Sequence, residues 1–317
     1  MISARSQSAG LRDVYAVWAL LVADAIAIFV TYSRIPPVDL YHVSESGLRG
    51  GASRVVVFFC FPTALAAIPI IAIAYDRIGG ARAAVAASIG TLLCASVAWP
   101  GVVDQADLDA KWSNGLAGAG ALIALALTIA ATGYGRRERP RMSRAGDRAR
   151  FALGLLVVLL ASPYIAAELG FFLDGVPVLG SLFITGAIRP EPGDGLRHAV
   201  HHGHHHGMDG LILTLAALLL SRQVGAVARP WLRSVLGFYV SLLAVYALSN
   251  MFNDLWGEQI VKRGWSSWEV PDLLRPTLSA AWAAMIAVAA LVYVVLVRRR
   301  PSYRPLSSSS IHSDIGT

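Results

Sequence analysis

Charged residues are scarce in this chain. They make up 15% of its 317 residues, whereas 56% are hydrophobic and the mean hydropathy is +0.57. A typical soluble domain carries about a quarter charged residues. The shortage excludes an ordinary soluble domain and indicates that most of the surface faces lipid.

Lysine and cysteine are nearly absent, with only Lys111, Lys262, Cys60 and Cys94 in the whole chain. Both cysteines lie inside apolar runs, which argues against a structural disulfide. The net charge is +7, but the basic residues flank apolar runs and form no basic face with interleaved aromatic residues. We therefore predict membrane lipids, and no nucleic acid, as partners.

Eight apolar segments are candidate spans, because a helix crosses the hydrocarbon core with about 20 apolar residues. They lie near residues 13–33, 54–75, 82–101, 114–133, 151–172, 202–221, 232–251 and 277–297. The sequence thus predicts an all-α fold, a polytopic membrane helix bundle of about eight transmembrane helices.

Arginine positions predict the orientation. Segments 135–150 and 298–305 are Arg-rich, and such segments stay on the cytoplasmic side. Both termini are then cytoplasmic, and we expect the protein in the plasma membrane. The predicted organisation is a first four-helix half (1–133), an Arg-rich cytoplasmic loop (134–150), a second four-helix half (151–299) and a disordered cytoplasmic tail (300–317).

Six of the eight histidines lie in the stretch HAVHHGHHHGMDG, residues 198–210. The apolar run that follows, 211–220, covers only about half of the membrane core as a helix. We therefore expect the sixth span to extend back through the histidines, which places them in the outer half of the membrane. A competing frame extends the span forward through 224–228 and buries Arg222.

Wound as a helix at about 100° per residue, this stretch separates into two faces. One arc holds the candidate metal ligands His198, His201, His202, His205 and Asp209, with His206 at its edge. The other holds Gly203, Gly207 and Gly210, where small residues let a second helix approach closely.

Imidazoles combined with a carboxylate favour a transition metal, and histidines four residues apart on a helix can bind one ion. We therefore predict that the first arc binds Zn, Fe or Cu. The alternatives are a solvated His-rich loop at the surface, or a low-affinity metal scavenger without function.

Two carboxylates belong to other spans. Glu168 lies near the outer end of the fifth span, at about the depth of the histidines, and is the predicted catalytic base or remote metal ligand; the alternative is an interfacial carboxylate. Tyr164, one turn earlier, is placed to hydrogen-bond to it. Asp24 lies near the middle of the first span, where we expect it to be protonated or paired with a donor on another helix.

Two outer loops, 33–51 and 250–270, are expected to cover the site, and the segment 176–188 to form an apolar lid. Within the second loop, Asp254, Glu258 and Lys262 follow an i, i+4, i+8 pattern, which indicates a surface ion-pair ladder.

The stretch HHGHH (201–205) resembles the HxxHH histidine boxes of membrane fatty-acid desaturases and hydroxylases, and 202–206 repeats the form. Those families place three such boxes on the cytoplasmic face. This chain has a single cluster, predicted on the opposite face, so membership is not inferred.

Three functions fit these patterns. The first is a metal-dependent membrane enzyme that acts on a lipid-like or isoprenoid substrate, with Glu168 as base. The second is a non-enzymatic metal or pH sensor, or a membrane assembly factor. The third, a metal permease, is disfavoured because the second, third, fourth and eighth spans carry almost no polar residues.

The predicted orientation can be tested with single cysteines at positions 140 and 196, in a variant lacking Cys60 and Cys94. An impermeant thiol reagent applied to intact cells should label position 196 and leave position 140 unlabelled. Labelling of 140 alone would invert the whole arrangement.

The predicted ligand arc makes the histidines unequal. His202→Ala or His205→Ala should lose bound metal, whereas His204→Ala should keep most of it, because His204 lies off the arc. Elemental analysis of the purified variants measures the difference. Equal losses at the three positions would indicate an unstructured chelating loop instead.

Overall fold

Long helices form where the apolar runs are, and turns form at the polar and glycine-containing segments between them. The structure, a computed structural model, describes residues 11–36, 40, 43–102, 104, 107–134, 146–171, 175–178, 188–191, 195–198 and 206–298. Its first helices are α1 Arg12–Arg34, α2 Gly47–Phe58, α3 Ala64–Ile78, α4 Gly80–Ala95 and α5 Asn114–Thr132. The later ones are α6 Asp147–Leu160, α7 Ser162–Glu168, α8 His206–Val224, α9 Pro230–Trp256 and α10 Ala280–Val292.

Several helices continue through a tighter or wider turn. A π-helical turn, Phe59–Thr63, joins α2 to α3, and a second, Gly257–Val261, extends α9. A 3-10 turn, Ser96–Ala98, follows α4, and a third π-helical turn, Tyr293–Arg298, follows α10. π-Helical turns inside helices frequently mark functional sites.

Six helical segments in the described chain are long and apolar enough to cross a membrane. They are α1, α2 with α3, α4 with its 3-10 turn, α5, α8, and α9 with its π-helical turn. The pair α6 and α7 is a seventh if counted as one span, and the apolar helix Ala280–Val295 is shorter. These findings confirm the all-α polytopic helix bundle, whereas the eighth predicted span, 277–297, contains only the shorter helix.

The fifth predicted span is broken. α6 and α7 meet at an angle of 61°, with Ala161 between them and Pro163 in the first turn of α7. Proline fits a helix start, since its missing N–H needs no partner there, but it does not continue the hydrogen-bond ladder of a preceding helix. The chain therefore changes direction before it reaches Glu168.

Helix α8 lies at the centre of the bundle, and 72% of its apolar stretch is buried. It packs against α9, α1, α3 and α6. The closest approach is to α9, because a Cβ on Gly210 would lie 2.6 Å from the carbonyl oxygen of Ala247. A Cβ on Gly207 would lie 2.3 Å from the ring of Tyr164. The predicted close-packing role is confirmed for these two glycines.

The end of α8 decides between the two frames of the sixth span. The helix stops at Val224 and a turn follows, so the frame that continued through 224–228 is wrong. Arg222 instead binds two carboxylates at the ends of other helices, Asp13 at 3.2 Å and Asp147 at 3.4 Å. These bonds keep its charge at the edge of the bundle.

One end of the bundle is thus a network of ions, which we call the basic end. Besides Arg222, Arg229 at the start of α9 binds Asp76 near the end of α3 at 3.1 Å. Arg77 donates to the carbonyl oxygen of Ala131 at the end of α5. The opposite end, where α1 and α7 finish and α8 begins, is called the His end.

A small hairpin replaces part of the expected helix. Strand β1, Ile188–Glu191, pairs antiparallel with β2, Gly195–His198. His198 therefore ends a strand, and its predicted place on one helix face with Asp209 is wrong. Most of the predicted lid, 176–188, lies outside the described residues.

Most buried apolar side chains from the two predicted halves belong to one main cluster, which runs from Val14 on α1 through Leu127 on α5 to Leu220 on α8 and Met285 on α10. A smaller cluster joins Val157 and Tyr164 to Leu211 on α8 and Met251 on α9. The bundle therefore holds together as one packed unit around α8.

Close packing at Gly210 predicts a stability effect. Gly210→Ala should lower the free energy of unfolding by about 1–3 kcal/mol, because the new Cβ meets backbone atoms of α9 rather than a flexible side chain. Thermal unfolding in detergent micelles measures this.

Gly118→Ala on α5 is the matched control, since a Cβ there meets nothing within 4 Å. Both changes raise helix propensity, so Gly118→Ala should be neutral or stabilising. Equal stability of the two variants would contradict the packing described here.

Candidate functional site

The predicted site residues divide into two groups. Asp209, His206 and Glu168 are described with their side chains, and all three lie near the His end. His201, His202 and His205 lie outside the described residues, and His198 is described only as backbone of β2. Their predicted role as ligands stays a prediction.

Four charged side chains come together inside the bundle, and we call them the charge cluster: Asp24, Arg54, Glu168 and Asp209. Each is no more than 8% exposed. The carboxyl group of Asp24 interacts electrostatically with Glu168, Asp209 and Arg54, and Asp209 interacts with Arg54 and Glu168. The cluster therefore joins α1, α2, α7 and α8.

Close packing between α1 and α2 brings Arg54 to the cluster. A Cβ on Gly51 would lie 2.6 Å from the carbonyl oxygen of Phe29, so only a residue without a side chain fits there. One turn further along α2, the guanidinium of Arg54 lies 5.8 Å from the ring centroid of Tyr32. This cation–π geometry helps to stabilise a buried guanidinium.

Glu168 is positioned by the bent span. It is the last residue of α7, and its backbone carbonyl accepts a hydrogen bond of 2.5 Å from the hydroxyl of Thr31 on α1. The bend at Ala161 carries the chain from the exposed surface of α6 to this buried contact. The prediction that Glu168 shares the depth of the α8 site is supported by its interaction with Asp209.

Arg54 was missed by the sequence reasoning. The hydropathy pattern starts the second span at Arg54, which suggests an arginine at the membrane surface. The helix in fact begins seven residues earlier, at Gly47, and this places Arg54 two turns inside it. The signal was the small-residue run GLRGGAS (47–53), which permits close packing against α1.

One part of the expectation for Asp24, a partner on another helix, agrees with the structure. Arg54, a donor on another helix, interacts with it electrostatically, as expected for a carboxylate at membrane depth. Neither carboxyl oxygen of Asp24 has a hydrogen bond within the described part of the chain.

Two more carboxylates lie beside the start of α8. Asp254 and Glu258 are 2% and 1% exposed, so the predicted surface ladder with Lys262 is wrong. The π-helical turn Gly257–Val261 changes the helical register at Glu258, and packing against α8 covers Asp254. Asp254 accepts a 2.7 Å hydrogen bond from the backbone N–H of Gly207. A carboxylate at a helix N-terminus is favourable because it meets unpaired N–H groups and the positive end of the dipole.

Tyr164 does not have the predicted partner. Its hydroxyl makes no hydrogen bond to any described residue, and its ring packs on Gly207 instead. The carboxylates that interact with it electrostatically are Asp254 and Glu258. The ring of Tyr164 belongs to the apolar cluster that includes Leu211 of α8 and Met251 of α9.

The described residues supply an incomplete metal site. Within them, no three His, Cys, Asp or Glu side chains are placed to hold one metal ion. His206 and Asp209, one turn apart on α8, do line one narrow pocket. Any metal site here needs further donors, and the predicted ones are the imidazoles of the segment before His206.

Comparison with protein-family models, with curated proteins and with solved structures gave no match. The fold and the site therefore define the class of this protein: it is a membrane helix bundle with a buried charge cluster near one end.

Proposed function

We propose that this protein is a metal-dependent membrane enzyme that acts on a lipid-like or isoprenoid substrate. The convergence of Glu168 and Asp209 carries the proposal. The two carboxylates come from different helices, both are buried, and they interact electrostatically beside His206 at the start of α8. Buried ionisable groups inside a membrane are costly, and they are retained mainly where function needs them.

The charge balance of the cluster supports a bound cation. Within the described residues, the carboxyl groups of Asp24 and Asp209 interact with each other, with Glu168 and with the guanidinium of Arg54. Carboxyl groups gathered inside a membrane are stabilised by protons or by cations. A divalent metal ion bound near Asp209 and Glu168 would be such a cation.

The proposed ligands are Asp209 and the imidazoles of His198, His201, His202, His205 and His206. These donors fit Zn, Fe or Cu, which prefer imidazole and accept a carboxylate oxygen. Such an ion, when bound, polarises water or activates oxygen. Glu168 would serve as general base, because α7 brings its carboxylate to Asp209 without placing it on the same helix.

Access from the lipid favours an enzyme with an apolar substrate. On α6 only Val157 is buried, and Phe151, Leu155 and Leu159 are exposed. After the bend, most of α7 is buried, including Glu168. The lipid-facing helix α6 thus precedes the buried Glu168 directly in the chain, and a lipid-like substrate would enter sideways from that face.

A sensor or assembly factor is the second candidate, and one observation favours it. Helix α8 connects Asp254 at the His end to Asp13 and Asp147 at the basic end, through Gly207 and Arg222. A metal ion bound at the start of α8 would shift this helix. The shift would change the contacts at the basic end without any chemical reaction.

Elemental analysis of the purified protein measures whether a metal ion is bound. Glu168→Gln keeps the size of the side chain but removes its charge, so the protein should fold and its metal affinity should fall about tenfold or more. Glu269→Gln is the matched control, because Glu269 is an exposed glutamate of the loop that follows α9. Metal content and function that are both unchanged in Glu168→Gln would contradict the proposed role of Glu168.

Lipid extracts of cells that produce wild type or Glu168→Gln distinguish the enzyme hypothesis from the sensor hypothesis. If the protein is an enzyme, cells that produce Glu168→Gln should accumulate its lipid-like substrate and lack the product. Mass spectrometry measures both. Unchanged lipid profiles, together with reduced metal affinity, would favour the sensor.

A further inference from the structure

The segment that joins α9 to α10 runs back along the bundle instead of staying at the His end. Three side chains of α9 donate hydrogen bonds to its backbone carbonyls: Trp256 to Trp268 at 2.8 Å, Asn253 to Val270 at 2.7 Å, and Tyr246 to Leu274 at 2.8 Å. The donors lie progressively nearer the basic end, and the ten residues of helix from the first to the last correspond to about 15 Å. We call residues 268–279 the re-entrant segment.

The deepest part of the re-entrant segment lies at membrane depth. Leu274 lines the same narrow pocket as Asp209 and Leu213 on α8. These two residues lie 13 and 9 residues before Arg222, which marks the basic end. The distance is about 14–20 Å of helix. Because the hydrocarbon core is about 30 Å thick, Leu274 lies about 10–16 Å inside its boundary at the His end.

Helix α10 begins near the same depth, which explains why the eighth predicted span contains only a short helix. The ring of Trp282, in the first turn of α10, lies 6.0 Å from the ring of Tyr246. Ser279 caps the helix by accepting a hydrogen bond from the N–H of Trp282. Pro276 would interrupt any helix extended toward the His end, because it lacks an N–H. The chain before Ser279 is therefore non-helical within the hydrocarbon layer.

The tip of the re-entrant segment is exposed and polar. Residues 275–279 are all exposed, and Leu278 is fully so. Asp272 and Arg275 are exposed charged residues. Within the described part of the chain, no hydrogen bond reaches the backbone groups of residues 275–278. Backbone of this kind does not face hydrocarbon, and at membrane depth it is found only where protein covers it or where it lines a water-filled cavity.

The two charged side chains favour water over a protein partner. The core of an interface between protein chains is depleted of charged residues. Charged side chains at membrane depth instead face the bundle interior or a water-filled cavity. Asp272 and Arg275 are exposed, so they do not face the interior of the bundle.

We propose that residues 272–279 line a water-filled inlet, which opens at the His end and reaches the depth of Asp209. The inlet ends at Leu273 and Leu274, which are 8% and 5% exposed. The pocket that Leu274 shares with Asp209 is too narrow for a water molecule, so water stops at this side chain. For the proposed enzyme, the inlet brings water to the depth of the site. That consequence rests on the proposed function, whereas the inlet itself does not.

The test measures thiol labelling of the full-length protein in lipid nanodiscs, where both faces meet the buffer. Leu278→Cys places the thiol on the exposed tip of the segment. Ile26→Cys on α1 is the matched control, because Ile26 is 59% exposed and lies 13 residues from Asp13. This places it about 20 Å of helix from the basic end. Cys60 and Cys94 are buried, so the wild-type protein gives the background.

A sulfonated methanethiosulfonate reagent, which does not enter hydrocarbon, should label Leu278→Cys at least about tenfold faster than Ile26→Cys, because the reactive thiolate forms in water and is disfavoured in hydrocarbon. Thr277→Cys should behave like Leu278→Cys, so the result does not depend on a single variant.

Three results would overturn the inlet. In the first, the sulfonated reagent labels all three variants equally slowly while an uncharged maleimide labels them fast, as expected for a segment that faces hydrocarbon. In the second, Leu278→Cys is protected from both reagents and forms a disulfide-linked dimer on oxidation, as expected if a second copy covers it. In the third, Ile26→Cys is also labelled fast, which places this level outside the hydrocarbon. Labelling requires neither a metal ion nor a substrate, so failure of the inlet is distinguishable from failure of the proposed function.

Discussion

Buried charge at membrane depth is the constraint on which this structure depends. Water does not stabilise Asp24, Glu168 and Asp209 there, so other helices must. Arg54 supplies the opposite charge, and α1, α2, α7 and α8 must meet for it to do so. The arrangement of half the bundle around α8 therefore follows from where four charges are placed.

Small residues and helix breaks make that meeting possible. Gly51 lets α2 approach α1, and Gly210 lets α9 approach α8, in both cases close to backbone atoms of the neighbour. The break at Ala161 turns α7 inward so that Glu168 becomes buried. Association of helices in lipid relies on such close packing, because burial against another helix gains little over burial in lipid.

The start of α8 combines two demands that usually conflict. Its first turn is rich in glycine and polar residues, which form a poor helix, yet it lies inside the bundle. Asp254 offsets the cost by accepting the N–H of Gly207, while Tyr164 packs on the same glycine. Partners on other helices thus contact the first turn of α8, on which His206 and Asp209 lie one turn apart. The proposed chemistry needs such contacts, since a ligand and a general base must keep their geometry.

Local properties of the chain determined a large part of this protein. Apolar length predicted the helices, and glycine spacing predicted the close packing of α8. Each of these depends on residues within one or two turns.

Only the tertiary structure decided which polar side chains are buried together. The sequence pattern did not single out Arg54, it predicted a surface ladder for Asp254 and Glu258, and it assigned His198 to a helix that it does not join. In each case the outcome depends on a segment distant in sequence: α1 covers Arg54, α8 covers Asp254, and β1 pairs with the strand of His198. Burial is a property of neighbours, and a helical or hydropathy pattern contains no record of which helix the neighbour will be.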